Sequence, residues 1–524
     1  MNRRQLLTGS AAVLVAPSVA RAASLPPFVL PKALAPFDPV GVRTAQGVNG
    51  LTPTGTAMFR TLHTIPAGAT SIQLGYAGWQ AAPGEFAIQP QVWRCKSVGI
   101  ASGGSGYAVG DAISFTTTGM VSKAPTTLIV AGVSGGVITE AAILIPGIYN
   151  APLGDGVSQT STSGSGTGAT FNMDWEAGAY SFRVGVEPVA GQQVTSGVNA
   201  IRQALQRGGV SATGFSAGQS RYIYNDPDFF VAGPGLVWTP PIPVNVSPGG
   251  VIAVRTWVAG KAPASRPTPS AAQDFGNVQS FWTLTDQSVS GTIGTAAAGQ
   301  NLVTPAIITG RAKRRVPSIL AIGDSITYGQ RGEGGTDTGD ANGYKGWFER
   351  AVTASVAWTN FAASGNKLDY YMNVNSGERV DLEALLQSTT FSAAGVFLSV
   401  NDFNAGTTFS ALQTQEDQLV QILRGYGVNT VFTATTTPVS NSGNTVPNPT
   451  SNDAIQARNT ALRGGSHTSG YDFFIDWGTV TESSIGSGLW AASAYGDGTH
   501  PSQAGHALMG AYASPIILGR VGLS

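Results

Sequence analysis

Apolar runs alternate with longer amphipathic stretches along the C-terminal part of the chain. The apolar runs predict strands at 318–322, 356–361, 395–400, 430–434 and 472–476. The stretches between them predict helices at 347–354, 381–387, 413–424 and 453–462. Regular alternation of this kind is typical of a parallel sheet that is covered by helices on both faces. We therefore predict a doubly wound α/β domain over residues 318–524.

The N-terminal half has a different pattern, in which short strand-like pieces are separated by turns rich in proline and glycine. Such pieces occur at 57–64, 71–76, 180–186 and 251–258. Short strands at this spacing predict an all-β sandwich, which we place at residues 49–307. Residues 23–48 before it are predicted to be a leader or linker, and the basic stretch at 308–317 is predicted to be the linker to the α/β domain.

A segment rich in glycine and serine, at about 96–173, lies within the predicted sandwich. The stretch from Gly106 to Ala112 is loosely repeated from Gly147 to Gly156. The repeat resembles the glycine-rich β repeats of phage tail-fibre and adhesion proteins. The alternative is a glycine-rich β insertion that only decorates the neighbouring domain. Because strand-like pieces flank the segment on both sides, we predict that it is inserted into the sandwich.

The first 22 residues have the features of a signal peptide. Arg3 and Arg4 precede a short apolar core, and Ala20-Arg21-Ala22 is a suitable cleavage site. The paired arginines are compatible with a twin-arginine signal or with a general secretory signal. We therefore expect an exported protein, periplasmic or secreted, with no transmembrane segment in the mature chain.

Composition narrows the possible partners. Charged residues make up 11% of the 524 residues, against a usual share of about a quarter, and 69 residues are glycine. The formal net charge is zero, so the charge balance does not favour nucleic acid or an anionic membrane surface as a partner. Cys95 is the only cysteine, which excludes an internal disulfide. We expect its thiol to be buried and structural.

The candidate chemistry begins at Gly323-Asp324-Ser325, which directly follows the first predicted strand of the α/β domain. A serine at the carboxyl end of such a strand is a candidate nucleophile, and it requires a base and an orienting acid. The chain has four histidines, and His500 is the one that follows an acid, Asp497, by three residues on a predicted loop. Together these three residues predict a serine hydrolase triad.

Four short blocks then resemble, in the right order, the motif blocks of the SGNH or GDSL serine hydrolases. They are Gly323-Asp324-Ser325-Ile326-Thr327, Asn360-Phe361-Ala362-Ala363-Ser364-Gly365-Asn366, Ser399-Val400-Asn401-Asp402 and Asp497-Gly498-Thr499-His500-Pro501. The resemblance covers the whole C-terminal domain. It implies a flavodoxin-like fold and a carboxylic ester hydrolase that needs no cofactor or metal ion.

The resemblance also implies a role for each matching residue. Ser325 is the nucleophile, His500 is the general base, and Asp497 orients the imidazole. The oxyanion hole consists of the backbone N–H groups of Ser325 and Gly365 and the side-chain amide of Asn401.

Several residues in and around these blocks remain open. Ser399 stands where the family usually has glycine, and it either narrows the acyl pocket or adds a hydroxyl. Asp324 and Asp402 are expected to be structural. A polar loop that contains Glu333, Asp337 and Asp340 is expected to be a solvated substrate rim, with a bound cation as the alternative.

The function that these observations predict is an exported serine esterase that removes short acyl groups, such as acetyl, from carbohydrate. One alternative is a surface adhesion or carbohydrate-binding protein with a vestigial hydrolase domain. Another is a hydrolase of lipid or aryl esters, and thioesterase and peptidase activity also remain open.

Overall fold

The computed structural model describes three short strands between residues 38 and 51 and most of the chain beyond them. The longer described ranges are 56–77, 92–122, 124–178, 180–188, 229–231, 235–260, 263–265, 281–283, 304–330, 346–352 and 355–522. The predicted signal peptide at 1–22 lies outside the described residues. In the described part of the chain, no helix is both long enough and apolar enough to cross a bilayer.

Two antiparallel sheets form most of the described N-terminal region. The strands of the first sheet are β1 (Asp38–Pro39), β5 (Ala69–Ala77), β16 (Leu236–Trp238), β17 (Ile242–Val246) and β21 (Ile307–Ala312). The strands of the second are β4 (Thr56–Ile65), β14 (Tyr180–Pro188), β15 (Phe229–Val231), β18 (Gly250–Gly260) and β20 (Phe281–Thr283). Separately, β3 (Gln46–Leu51) pairs with β19 (Pro263–Ser265). The described N-terminal region is therefore all-β.

One apolar core is shared by these two sheets. The rings of Tyr76 on β5 and Phe182 on β14 have centroids 4.1 Å apart. The hydroxyls of Tyr76 and Thr256 share a buried hydrogen bond of 2.6 Å, and the Tyr180 hydroxyl donates to the carbonyl of Ala77 at 2.6 Å. Aromatic packing and buried hydrogen bonds thus join the two sheets.

The glycine-rich segment forms two further antiparallel sheets with a core of their own. One contains β6 (Val92–Ser105), β10 (Ile148–Tyr149), β11 (Val157–Ser158) and β13 (Thr167–Gly178). The other contains β7 (Ala112–Ser114), β8 (Thr127–Ser134), β9 (Val137–Ile145) and β12 (Ser161–Thr162). Phe115 and Phe171 pack edge to face in this core. Cys95 belongs to the same core and is buried, as predicted.

A parallel sheet forms the centre of the C-terminal domain. Its strands are β2 (Val42–Arg43), β22 (Ser318–Gly323), β23 (Ala357–Ala362), β24 (Ala393–Phe397), β25 (Thr430–Ala434) and β26 (Phe473–Ile475). Their order is β2-β23-β22-β24-β25-β26. The chain therefore reverses its direction of progress across the sheet at β22, which lies between β23 and β24. In open α/β sheets, ligands bind outside the carboxyl ends of the strands at such a reversal.

Helices connect the strands of this sheet. They are α1 (Ser325–Tyr328), α2 (Trp347–Val352), α3 (Leu368–Met372), α4 (Gly377–Ser388), α5 (Val400–Asn404), α6 (Phe409–Gly425), α7 (Asn452–Gly464), α8 (Gly478–Thr481) and α9 (Gln503–Arg520). Helix α9 packs against α2 and α8, whereas α3 packs against α4 and α6. Because crossovers between parallel strands are right-handed and the chain reverses its direction at β22, we infer that these two groups of helices lie on opposite faces of the sheet. The predicted parallel α/β architecture of this domain is confirmed.

Two segments that were predicted to be connections contain strands. Within the predicted leader, 23–48, strand β2 pairs in parallel with β23 and so extends the sheet of the α/β domain. Within the predicted linker, 308–317, the residues up to Ala312 belong to β21, which pairs with β5. Ile307 and Ile308 are buried in that strand, and the basic cluster begins only at its exposed end. The buried isoleucines therefore place this segment in the sheet, although positively charged residues follow directly.

The strand predicted at 395–400 is also displaced toward the N-terminus. Strand β24 ends at Phe397, and Val400 already begins helix α5. Phe397 lies opposite Gly323, the last residue of β22. The chain after Phe397 therefore has no neighbouring strand on that side with which to pair.

Candidate active site

Three of the predicted site residues follow the carboxyl ends of three neighbouring strands. Ser325 follows β22, Gly365 follows β23, and Asn401 follows β24. Because parallel strands end at the same edge of a sheet, the three positions are brought to one edge. This edge lies at the reversal of the strand order.

Ser325 is held at the first position of helix α1. Asp324 caps this helix, since its Oδ1 accepts a hydrogen bond of 2.9 Å from the backbone N–H of Ile326. The helix lasts one turn and ends at Gly329, which has a φ of 88°. Ser325 is 5% exposed, so the surrounding turn fixes its side chain at the sheet edge.

His500 lies between Ser325 and Asp497. The Nε2 atom of His500 is 2.8 Å from the Oγ of Ser325. Its Nδ1 atom is 3.0 Å from Oδ2 and 3.1 Å from Oδ1 of Asp497. If Nδ1 carries the proton, it donates to the carboxylate, and Nε2 is free to accept the proton of the serine hydroxyl. The geometry permits proton transfer from Ser325 to His500.

The carboxylate of Asp497 is held by its own loop. Its Oδ1 accepts backbone hydrogen bonds from His500 at 2.8 Å and from Thr499 at 3.1 Å. Partial burial alone raises the pKa of Asp497, but the backbone and imidazole of His500 and the backbone of Thr499 lower it, and the net pKa lies well below the usual range. Asp497 is therefore ionised at any pH at which an esterase is assayed.

Three N–H groups at this edge are candidate donors to an oxyanion. The backbone N–H groups of Ser325 and Gly365 have no hydrogen-bond acceptor among the described residues. Gly365 has a φ of 83°, a conformation that favours glycine. The Nδ2 of Asn401 donates to the carbonyl of Asn366 at 3.0 Å, which leaves its second N–H for another acceptor.

Asp324 and Asp402, the aspartates of the motif blocks that lie outside the candidate triad, hydrogen-bond to backbone groups, as predicted. Besides the cap that Asp324 provides, Asp402 Oδ1 accepts a hydrogen bond of 2.9 Å from the backbone N–H of Leu368. Both carboxylates are buried. They connect the loops that carry Ser325 and Asn401 to neighbouring backbone.

Ser399, which replaces the usual glycine, is buried and points toward β25. Its hydroxyl is 2.8 Å from the Oγ1 of Thr436, and Arg458 donates to the same Thr436 oxygen at 3.2 Å. The side chain of Ser399 thus contributes a hydroxyl to a buried polar network.

That network contains a buried ion pair that the sequence does not predict. The Nη2 of Arg458 is 2.6 Å from Glu416 Oε1, and Glu416 Oε2 is 2.9 Å from His467 Nε2. Burial raises the pKa of Glu416, but Arg458 and His467 lower it to a net value below the usual one. The one local feature of the sequence that indicates a buried charge is Glu416 itself, which lies on the apolar face of α6 between the buried residues Leu412 and Leu419.

The remaining two histidines are structural. His506 is buried on α9, and its Nε2 lies 2.8 Å from the carbonyl oxygen of Gln330. His63 is buried on β4, with its Nε2 2.8 Å from the hydroxyl of Thr61. Glu333, Asp337 and Asp340 of the predicted rim loop lie outside the described residues.

Residues 321–508 match the family model of the GDSL-like lipases and acylhydrolases. The C-terminal domain belongs to this GDSL family. The match includes all four motif blocks, from the strand before Ser325 to the loop with His500. This GDSL domain is that of a carboxylic ester hydrolase.

Solved structures similar to the GDSL domain have low sequence identity. They include a carbohydrate acetylesterase family member from Sinorhizobium meliloti, with 17% identity and a TM-score of 0.30, covering 40% of this chain and 100% of the other. An acetylxylan esterase mutant from Geobacillus stearothermophilus has 17% identity and a TM-score of 0.29, with coverage of 40% and 95%. A lipolytic protein of the G-D-S-L family from Veillonella parvula has 17% identity and a TM-score of 0.29, with coverage of 37% and 95%. No curated protein matches the sequence at a significant level.

The buried aspartates predict a pH-dependent stability of the GDSL domain. Burial raises the pKa of Asp324 to about 7, although backbone hydrogen bonds oppose the shift. In the unfolded chain, an aspartate has a pKa of about 3.9. The stability that the protonated carboxyl of Asp324 contributes to the fold is complete below pH ~4 and is lost as the pH rises through ~7. The Tm should therefore fall over this window, and Asp324→Asn should flatten the fall, because asparagine has no proton to lose.

Thermal unfolding followed by circular dichroism from about pH 4 to 8 measures this effect. Burial also raises the pKa of Asp402 to about 7, so the double variant Asp324→Asn/Asp402→Asn should be flatter still. Asp417→Asn on α6 is the matched control. Parallel curves for the wild type and Asp324→Asn would contradict the prediction.

Proposed function

We propose that the chain is an exported serine esterase that hydrolyses short acyl esters, acetyl groups on carbohydrate in particular. The observation that carries the proposal is the hydrogen-bonded series Ser325–His500–Asp497, in which Nε2 of His500 is 2.8 Å from the serine Oγ. A serine hydroxyl in contact with an oriented imidazole is the arrangement needed for acyl transfer.

The reaction proceeds in two halves. Ser325 attacks the ester carbonyl while His500 takes the hydroxyl proton, and Asp497 stabilises the resulting imidazolium. His500 then protonates the leaving alcohol, and the acyl group remains on Ser325. Water attacks this acyl-enzyme with His500 again as the base, which releases the acid and restores the hydroxyl.

The oxyanion of each tetrahedral intermediate is stabilised by the N–H groups of Ser325, Gly365 and Asn401. For Asn401→Ala we expect kcat to fall by roughly 10²–10³-fold, since one donor of this kind is typically worth ~2.7–4 kcal/mol in the transition state. Steady-state kinetics on p-nitrophenyl acetate measure the loss. Asn404→Ala, at the exposed end of the same helix, is the control, and equal kcat values for the two variants would exclude Asn401 from the site.

The N-terminal region supports the carbohydrate assignment. We infer that its two five-stranded sheets are the layers of a sandwich, because strands of both contribute to one core. The 92–178 segment, with its separate core, is then an inserted module. Together with the signal-like residues 1–22, an all-β accessory region is suited to hold an exported esterase at a polysaccharide or cell surface.

An ester panel tests the proposal. The purified protein is assayed on p-nitrophenyl acetate, butyrate and octanoate and on acetylated xylan, and a fluorophosphonate probe is used to label the nucleophile. We expect acetate to be the best aryl substrate, release of acetate from xylan, and labelling of the peptide that contains Ser325.

Other outcomes contradict different parts of the proposal. Faster turnover of octanoate would favour a lipid esterase and exclude the short-acyl assignment. Absence of turnover and of labelling, together with glycan binding by the whole chain, would overturn the enzyme in favour of a carbohydrate-binding protein.

A further inference from the structure

Gly498 lies between the acid and the base of the candidate triad, and its carbonyl oxygen accepts hydrogen bonds from two groups outside its own loop. The oxygen of Gly498 accepts a hydrogen bond of 2.8 Å from the backbone N–H of Ser440. It accepts a second, of 3.0 Å, from the indole Nε1–H of Trp490. Both acceptor sites of this carbonyl are therefore occupied by protein groups.

The approach of the two loops is close. Gly498 has a φ of 93°, and a Cβ at this position would lie 2.5 Å from the carbonyl oxygen of Ser440. A side chain here would be strained and would separate the loops. The backbone around Gly498 is thus in direct contact with residues 438–447, which we call the 438–447 loop.

Trp490 is itself held by the 438–447 loop. The side chain of Asn444 donates from Nδ2 to the Trp490 carbonyl at 2.8 Å, and its Oδ1 accepts from the Trp490 N–H at 2.9 Å. Asn444 has a φ of 52°, a left-handed conformation that no other non-glycine residue adopts in the described part of the chain. Such a conformation persists only where the surroundings impose it, and here the two bonds to Trp490 accompany it.

The 438–447 loop has internal bonds that make it a firm support. Asn441 Oδ1 accepts from the backbone N–H of Thr445 at 2.8 Å, and Asn441 N–H donates to Val446 at 3.0 Å. Ser440 and Pro447 form an isolated bridge. The Tyr495 hydroxyl donates to Ser442, which adds a further link to the loop that carries Asp497 and His500.

Asp497 and His500 need such support because no helix or strand contains them. They lie in the irregular stretch before α9, and both side chains are partly exposed. A displacement of about 1 Å of a reacting group can lower the rate by roughly 10²-fold. Rigid packing around the residues that hold a catalytic group therefore increases the rate of the reaction.

We propose that Asn444 and Trp490 are positioning residues for the acid–base pair. Asn444 fixes the backbone of Trp490, the indole N–H of Trp490 holds the Gly498 carbonyl, and Gly498 sets the distance from Asp497 and His500 to Ser325. The proposal rests on the proposed esterase function, and neither residue is assigned any contact with substrate.

Trp490→Phe and Trp477→Phe form a matched pair of variants. Both tryptophans are buried in the GDSL domain, but the Nε1 of Trp477 has no hydrogen-bond partner among the described residues. Both variants lose the same part of an indole, so both should lower the Tm. Only Trp490→Phe removes a hydrogen bond to the triad loop.

The readout is the pH dependence of kcat and kcat/KM on p-nitrophenyl acetate. For Trp490→Phe we expect kcat to fall by roughly tenfold with little change in KM. We also expect the acid limb of the kcat/KM profile to move to lower pH, because a loosened Asp497 stabilises the imidazolium less. For Trp477→Phe the profile should keep the position of the wild type.

Asn444→Gly provides a second, independent variant. Glycine accepts the left-handed backbone, so this change removes the two bonds to Trp490 without adding strain. It should lower kcat in the same way as Trp490→Phe, and the double variant should lose less than the product of the two single effects, since both act through Gly498.

The outcomes separate this proposal from the esterase function. If the wild type is active but Trp490→Phe and Trp477→Phe have the same kcat and the same pH profile, the positioning role is overturned and the esterase function stands. Fully multiplicative effects of Trp490→Phe and Asn444→Gly would also overturn it. If the wild type is inactive on every ester, the esterase function fails first.

Discussion

Ser325→Ala should remove ester hydrolysis, with kcat on p-nitrophenyl acetate falling by roughly 10⁶-fold. The hydroxyl of Ser325 is the only one that His500 Nε2 contacts, at 2.8 Å, among the described residues. Alanine leaves His500 and Asp497 without a nucleophile to activate, so no acyl-enzyme can form. KM should change little, because the variant keeps the proposed oxyanion donors, which are two backbone N–H groups and the amide of Asn401.

The loss is measured by steady-state kinetics and by the absence of fluorophosphonate labelling. Ser388→Ala is the matched control, since among the described residues the Ser388 hydroxyl bonds only to the carbonyl of Ala384 in its own helix, at 2.7 Å. Both variants should keep the circular dichroism spectrum of the wild type. Turnover of Ser325→Ala above one hundredth of the wild-type rate would exclude Ser325 as the nucleophile.

Asp497→Asn should lower kcat by roughly 10⁴-fold while leaving the fold intact. The carboxylate of Asp497 accepts from Nδ1 of His500 at 3.0 Å, which selects the tautomer with a free Nε2. An asparagine can present its N–H₂ group to Nδ1, and the other tautomer would then direct an N–H at Ser325. The variant also lacks the negative charge that stabilises the imidazolium during the reaction.

The pH profile of kcat/KM provides the check for this variant. The pKa of Asp497 lies well below its usual range. The acid limb of the wild-type kcat/KM profile should therefore reflect the titration of a group other than this carboxylate. Asp417→Asn, where the carboxylate accepts from Gln421 on the same helix, serves as the control. A loss of less than tenfold for Asp497→Asn would mean that another residue orients His500.

Local patterns predicted the α/β domain well. The strands at 318–322 and 430–434 and the helices at 413–424 and 453–462 lie within elements of the structure, because their apolar periodicity extends over one continuous stretch. Strand β24 was displaced, since its end depends on where the neighbouring β22 stops. The length of a strand depends on the neighbouring strands with which it pairs. The sequence of the strand itself does not show where those neighbours end.

Segments that join domains were harder to predict. Val42 and Arg43 have no strand pattern of their own, yet they pair with Trp358 and Thr359 more than 300 residues later. The basic cluster after Ile308 suggested a linker, but the preceding isoleucines pair with β5. In both cases a long-range backbone contact, which leaves no periodic signal, determines the secondary structure.

Candidates for the nucleophile, the base, the acid and the oxyanion donors could be proposed from the sequence, because each belongs to a short motif whose chemistry is local. Their distances, and the supports that hold them, come from the fold. Glu416 meets Arg458 across two helices, and Asn444 meets Trp490 across two loops. Such contacts depend on how separate segments pack, and buried polar groups find their partners only once the chain has folded. The motif therefore predicts which reaction the domain performs, and the tertiary contacts set how accurately Ser325 and His500 are aligned for it.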